Sequence, residues 1–151
     1  MNAAAATLAR SSRHTVLAFD FGEKYLGIAV GDTETRIAQP LGMISAPSDA
    51  ERLARIAALM REGRPDKLVV GLPLGLDGGE RAITARARRF GRRLSARYRL
   101  PVDFADERYT STAAEESLRE AGRGGRKGKS LAQALAARLI LQSYLDDAPR
   151  R

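Results

Sequence analysis

Two short apolar runs, Thr15 to Phe21 and Leu26 to Val30, are joined by the turn Gly22-Glu23-Lys24, and that arrangement leaves the chain few ways to fold. Runs of this length and apolarity suit β-strands, and at this separation they pair as an antiparallel hairpin. In the first run Val16, Leu17, Ala18 and Phe19 are all apolar, as in a strand covered on both faces. Into that run the sequence sets one carboxylate, Asp20. A charge there is costly unless it is paired or bound to a cation. The plainer alternative is an aspartate at a strand end, hydrogen-bonded to the turn that follows.

The remaining elements follow from periodicity and from helix and turn signals. Arg36 to Ile44 reads as a third strand, close enough to complete an antiparallel meander. Ser48 and Glu51 have capping-box spacing before the helical series Leu53, Ile56, Ala57 and Met60, which Gly63 and Pro65 end. Lys67 to Leu72 is a fourth strand. Because a helix precedes it, it runs parallel to a neighbour. Arg81 to Tyr98 is helical, and Val102 to Asp106 is a fifth strand. Thr112 and Glu115 can cap a short helix ending at Gly122. Arg123 to Lys129 reads as a flexible basic loop, and a last helix runs from Ser130 to about Leu145. The predicted class is α/β, a mixed five-stranded sheet with three antiparallel strands followed by parallel ones and helices on both faces. This layout resembles the ribonuclease H-like fold, and also half of an actin-type ATPase domain. The chain is too short for the two lobes that enclose a nucleotide in the latter. Residues 14–147 read as one domain, with loose tails at 1–13 and 148–151. The Ala-, Ser- and Arg-rich first tail leaves an organelle-targeting signal as its alternative.

Asp106 adds weight to Asp20. It too closes a predicted buried strand, in "VDFADERYT", and ligands of such sheets collect at the C-terminal strand ends. Two carboxylates brought together there repel, and a Mg²⁺ or Mn²⁺ ion removes the repulsion. With two such ions the arrangement supports in-line attack on a phosphodiester. Glu107 and Arg108 follow directly. In an extended segment Glu107 points away from Asp106, and it is open to three readings: a further ligand, a base, or a partner for Arg108.

Composition narrows the partners. Lysine and arginine number 26 against 18 acids, a net charge of +8 that favours a polyanion, nucleic acid first. The absence of cysteine excludes disulfides and thiolate metal sites and agrees with a reducing cytoplasm. The sole histidine, His14, precedes the first strand and reads as a solvated residue, so neither a histidine base nor a zinc cluster is expected. No apolar run is long enough to span a bilayer, and no membrane partner is expected. Eight arginines lie between Arg81 and Arg99, among them Arg86, Arg89 and Arg93. They form either a solvated outer face or a surface that tracks phosphates. Arg126, Lys127 and Lys129 in the basic loop carry the same two readings. The glycines of "GLPLGLDGG" read as a tight strand-to-helix connection, since the lysine of a P-loop is missing.

Four segments, "DFGEKYLGIAVGD", "VVGLPLGLDGG", "DERYTSTAA" and "ARLILQSYLD", occur in this order and together resemble the YqgF/RuvX family over roughly Val16 to Asp146. The resemblance implies a ribonuclease H-like, RuvC-like nuclease. The hydrolase would depend on Mg²⁺ or Mn²⁺ and act in 5′-end maturation of the 16S ribosomal RNA precursor, within ribosome biogenesis. By position, Asp20 matches the family's first-strand acid, Lys24 the lysine of its "D-x-G-x-K" turn, and Asp106, Glu107 and Arg108 its "D-E-R" motif. Tyr25 stands where an arginine is common. The larger departure is Gln133, which occupies the place of an aspartate in the last helix. An amide oxygen can coordinate Mg²⁺ but adds no charge to hold it. Asp146 does not replace it, lying thirteen residues on and about 20 Å along the helix. Gln133 also has capping-box spacing from Ser130.

On these grounds the expected catalytic residues are Asp20, Asp106 and Glu107, and the expected metal ligands are Asp20, Asp106 and Gln133. The expected substrate contacts are Lys24, Arg81, Arg86, Arg89, Arg93, Arg108, Arg126, Lys127 and Lys129. The expected partners are structured precursor RNA and the small ribosomal subunit, bound by a monomer or weak dimer. Two alternatives stand beside this reading: a non-catalytic RNA-binding assembly factor, motivated by Gln133, and a resolvase of DNA junctions, which needs a symmetric dimer.

Overall fold

The structure, a computed structural model, describes residues 14–75, 77–106 and 118–148. In chain order the elements are β1 (Thr15–Phe21), β2 (Tyr25–Asp32), β3 (Ala38–Ser45), α1 (Asp49–Gly63), β4 (Lys67–Leu72), α2 (Ala82–Tyr98), β5 (Val102–Asp106) and α3 (Gly125–Asp147). The described strands form one five-stranded sheet in the order β3-β2-β1-β4-β5. The first three are antiparallel neighbours, while β4 and β5 run parallel to β1. The C-terminal ends of β1, β4 and β5 therefore meet at one end of the sheet.

Alternation along the strands splits the core in two. Leu17, Phe19 and Phe21 of β1 join Leu68, Val70 and Leu72 of β4 on one face, where Ile56 of α1 and Phe90 and Leu94 of α2 cover them. Val16, Ala18, Ala29 and Val69 occupy the opposite face, under Ala137, Ile140, Leu141 and Leu145 of α3. The two faces differ in side-chain size. Small residues on the second face let α3 lie close to the sheet. A Cβ on Gly27 would stand 2.1 Å from the carbonyl oxygen of Gln133, and one on Gly31 would stand 2.9 Å from Leu145 Cδ1. A glycine inside a strand marks such close backbone approach.

Polar contacts hold the C-terminal half of α3. Gln142 Oε1 accepts from the Ala38 amide at 3.0 Å, and its Nε2 donates to the Arg36 carbonyl at 2.8 Å. Arg138 Nε donates to the Ala38 carbonyl at 3.1 Å. At the far sheet edge Tyr144 donates its hydroxyl to Asp103, which also pairs with Lys67 at 2.7 Å. Partial burial would raise the Asp103 carboxyl, but hydrogen bonds from Lys67 and Tyr144 outweigh it and hold the group below its ordinary value. Burial would lower Lys67, and the same two partners raise it instead.

Two boundaries differ from the sequence expectation. The strand expected from Arg36 starts at Ala38, because Arg36 sits at φ +57° in a turn where Asp32 Oδ1 accepts from the amides of Glu34 and Thr35. The loop expected over Arg123 to Lys129 is largely helical: α3 starts at Gly125, after a helical stretch at 118–122 and a corner. Gly128 is buried there, and a Cβ on it would stand 2.1 Å from the Ala121 carbonyl oxygen. The glycines serve a tight helix-to-helix corner. Ser130 consequently lies inside α3, and the Ser130–Gln133 cap does not form. The cap expected at Ser48 does form, its Oγ accepting from the Glu51 amide at 3.2 Å.

Two outcomes follow for stability. Gly27→Ala should cost about 1–3 kcal/mol through overpacking against Gln133, read as a lower denaturant midpoint. Asp103→Asn should cost about 1 kcal/mol at neutral pH, a modest figure because the pair is largely solvated. The Asp103 contribution is present above the ordinary carboxylate range and is lost as pH falls through its depressed value. The Lys67 contribution is present below the ordinary lysine value and is lost as pH rises through its raised one. Unfolding measured across pH should therefore show both limbs flatten in the variant.

Candidate active site at the C-terminal end of β1

Asp20 is the last residue of β1 on the α3 face before the turn. In register it lies opposite Gly27 of β2 and Gly71 of β4, and Gly71 in turn opposes Ala105 of β5. The row across the sheet is thus Gly27, Asp20, Gly71, Ala105: one carboxylate among residues with almost no side chain. On the β2 side the Gln133 backbone closes over Gly27. Asp20 itself is half-buried.

The structure brings Gln133 to this row and sets Asp106 differently. Asp106 pairs with Leu72, one step beyond the row and two strands from β1, about 10 Å across. Along β5, Phe104 faces α2, its Cε1 2.6 Å from where a Cβ on Gly91 would stand, whereas Asp103 and Ala105 belong to the α3 face. Asp106 has the alternation of Phe104. It leaves the same end of the sheet as Asp20, but on the opposite face, so the pairing of Asp20 with Asp106 expected from the sequence is not what the register gives. Glu107 and Arg108 lie outside the described residues. Among the described residues no group of three His, Asp or Glu side chains is disposed to hold a metal ion.

The basic residues divide between the two faces as well. On the Asp20 face, Lys129 stands one turn before Gln133 on α3, and its Nζ lies 4.5 Å from the centroid of the Tyr25 ring. Lys24, Arg126, Lys127 and Lys129 are exposed. The hydrogen bond and charge of Lys129, with smaller help from Lys24 and Arg126, hold the Tyr25 phenol below its ordinary value against a weaker effect of burial. On the α2 face, Arg86 pairs with Glu23 Oε1 at 2.6 Å, while Arg89 and Arg93 are exposed. Arg81 folds over Gly75, in a connection closed by Asp77 Oδ1 accepting from the Gly79 amide at 2.8 Å. That segment is the tight connection its glycines predict.

The model of the family described as RuvX, Holliday junction resolvase, matches residues 14–147. The chain belongs to the RuvX family. Among curated relatives, a protein of Methylobacillus flagellatus is 49% identical over 138 residues, covering 91% of this chain and 94% of its own. One of Dechloromonas aromatica is 51% identical over 132 residues, covering 87% and 90%. Both carry the name "Putative pre-16S rRNA nuclease". Among solved structures, Thermus thermophilus RuvC in complex with a Holliday junction substrate superposes with a TM-score of 0.52 at 21% identity, covering 87% of this chain and 93% of RuvC. Fowlpox virus resolvase, solved with Holliday junction DNA, gives 0.53 at 12% identity, covering 87% and 97%. These two likenesses establish the RuvC-like, ribonuclease H-like fold of this RuvX member. No helix among the described residues is long and apolar enough to cross a membrane.

Gly27, Gly71 and Tyr25 carry the local geometry and were not among the residues expected from the sequence. The signal for the first two was present, since a glycine inside an apolar strand beside a lone acid marks space kept for something else. Lys129→Ala should move the Tyr25 phenol up toward its ordinary value, which NMR of ¹³Cζ-labelled tyrosine during a pH titration reads directly.

Proposed function

We propose that this protein is a cytoplasmic, divalent-metal-dependent endonuclease that hydrolyses phosphodiester bonds in the 16S ribosomal RNA precursor. The observation that carries the reading is Asp20, held at a strand end among glycines and beside Gln133, in a RuvX chain half-identical to relatives of that name. Carboxylate and amide oxygens are hard donors of the kind Mg²⁺ and Mn²⁺ take, so the donor set suits such an ion. In this reading Asp20 and Glu107 provide the anionic ligands and Gln133 a neutral one. Glu107 is the next carboxylate after Asp106 in the "D-E-R" motif of the RuvX resemblance. The chemistry such an ion supplies is activation of water and stabilisation of the leaving oxygen.

The chain's own groups do the rest. Lys24, Arg126, Lys127 and Lys129 bind the backbone phosphates flanking the cut and orient the strand over Asp20. None of them reads bases, so selection rests on RNA shape or on the small ribosomal subunit as partner. Gln133 favours one second reading, a non-catalytic assembly factor that binds precursor RNA without cutting it.

Asp20→Asn should lower Mn²⁺-dependent cleavage of a precursor fragment by about a thousandfold, since several kcal/mol of charge stabilisation are lost. Circular dichroism should show the fold retained. Gln133→Asp should tighten Mn²⁺ binding by about tenfold in calorimetry. Cleavage unaffected by Asp20→Asn refutes the nuclease reading of this site. RNA binding with no Mn²⁺ heat in the unaltered protein supports the assembly factor.

A further inference from the structure

Behind the Asp20 site, on the opposite face of the same sheet end, α1 and α2 enclose a pocket over Phe21. It is lined by Arg52, Arg86, Arg89 and Arg93, with Asp49 and Phe90. Arg52 decides its character. The residue is 7% exposed, yet its guanidinium is bonded to a neutral group, the Glu23 carbonyl, at 2.8 Å and stacks over the Phe21 ring 5.7 Å from its centroid. Among the described residues no carboxylate comes within ion-pair distance of Arg52, Arg89 or Arg93, and Arg86 alone is paired, with Glu23. Among the described residues, setting Asp49 and Glu23 against the four arginines leaves two positive charges unmatched.

We propose that this pocket is a binding site for a phosphomonoester, a terminal phosphate carried by an RNA strand or by a free mononucleotide. An internal phosphodiester carries one negative charge. A terminal phosphate carries nearly two at neutral pH and offers three acceptor oxygens, which match the unmatched charge and the donors that Arg52, Arg89 and Arg93 present. Burial pushes the Arg52 guanidinium down; the charge of Asp49 opposes this and Arg86 adds a smaller push downward, so the net effect is a lowering that a bound dianion relieves. The planar fork of arginine suits phosphate better than a point charge does. The pocket is separate from Asp20 and needs no metal, so it stands whether or not the Asp20 site cuts RNA.

The test uses the full chain in EDTA, which silences metal-dependent cleavage. Fluorescence anisotropy compares one labelled oligoribonucleotide ending either in a phosphate or in a hydroxyl, with adenosine monophosphate as competitor. The expected result is about tenfold tighter binding of the phosphorylated end, equivalent to one charge-assisted interaction. Arg89→Ala and Arg93→Ala, both exposed positions that the fold tolerates, should erase the difference, and Asp20→Asn should leave it intact. Competition by the mononucleotide with no preference between the oligonucleotides assigns the site to a free nucleotide. A preference without competition assigns it to an RNA end. Equal binding of both oligonucleotides together with no competition overturns the proposal.

Discussion

How close α3 can come to the sheet governs the whole candidate site. An α-helix on a sheet is normally held off by side chains from both layers. Here β2 presents Gly27 and Gly31 to α3, β1 presents Ala18, and a helix carbonyl touches the strand where a methyl group would otherwise stand. Only under that constraint does Gln133, more than a hundred residues from Asp20 in sequence, come to the same row. The opposite face is built the other way. Phe19, Phe21 and Phe90 fill it, with ring centroids 5.7 and 5.2 Å apart, and the helices there stand over a thick apolar layer. One sheet thus carries a thin polar-tipped layer and a thick aromatic one, and the proposed hydrolytic site belongs to the thin side.

Much of this was legible in the sequence. β1, β4 and β5 lie where their apolar runs place them, helped by Gly22 after β1, by Gly63, Pro65 and Pro73 around β4, and by Pro101 before β5. The Ser48 cap forms for a local reason that needs no tertiary information. The start of α3 was less accessible. Glycine lowers helix propensity, so "GRGGRKGK" reads as a loop until Gly128 is seen to be required by the nearness of Ala121. The disposition of Asp106 depended on register, but its parity was present all along: Val102 and Phe104 are the residues of β5 that the aromatic face must bury, and Asp106 alternates with them. Proximity to a strand end identifies the right end of the sheet, and only alternation tells the face.

The division of the arginines and lysines has the same origin. Net charge favours a polyanionic partner, but does not say on which surface. With α2 and α3 on opposite sides, the basic residues fall into two groups separated by the sheet. A carboxylate lies near the first, and a buried, weakly compensated guanidinium lies in the second. The two can be occupied independently, or by one strand that passes around the end of the sheet.

The contacts along α3 have a mechanical consequence. The helix is fastened near its start by the Gly27 contact, along one side by Gln142 and Arg138, and near its end by Tyr144 on Asp103. A rod clamped at three places cannot slide to suit an occupant. Adjustment around Asp20 falls instead to side-chain rotation at Gln133 and Lys129, with the backbone there yielding little.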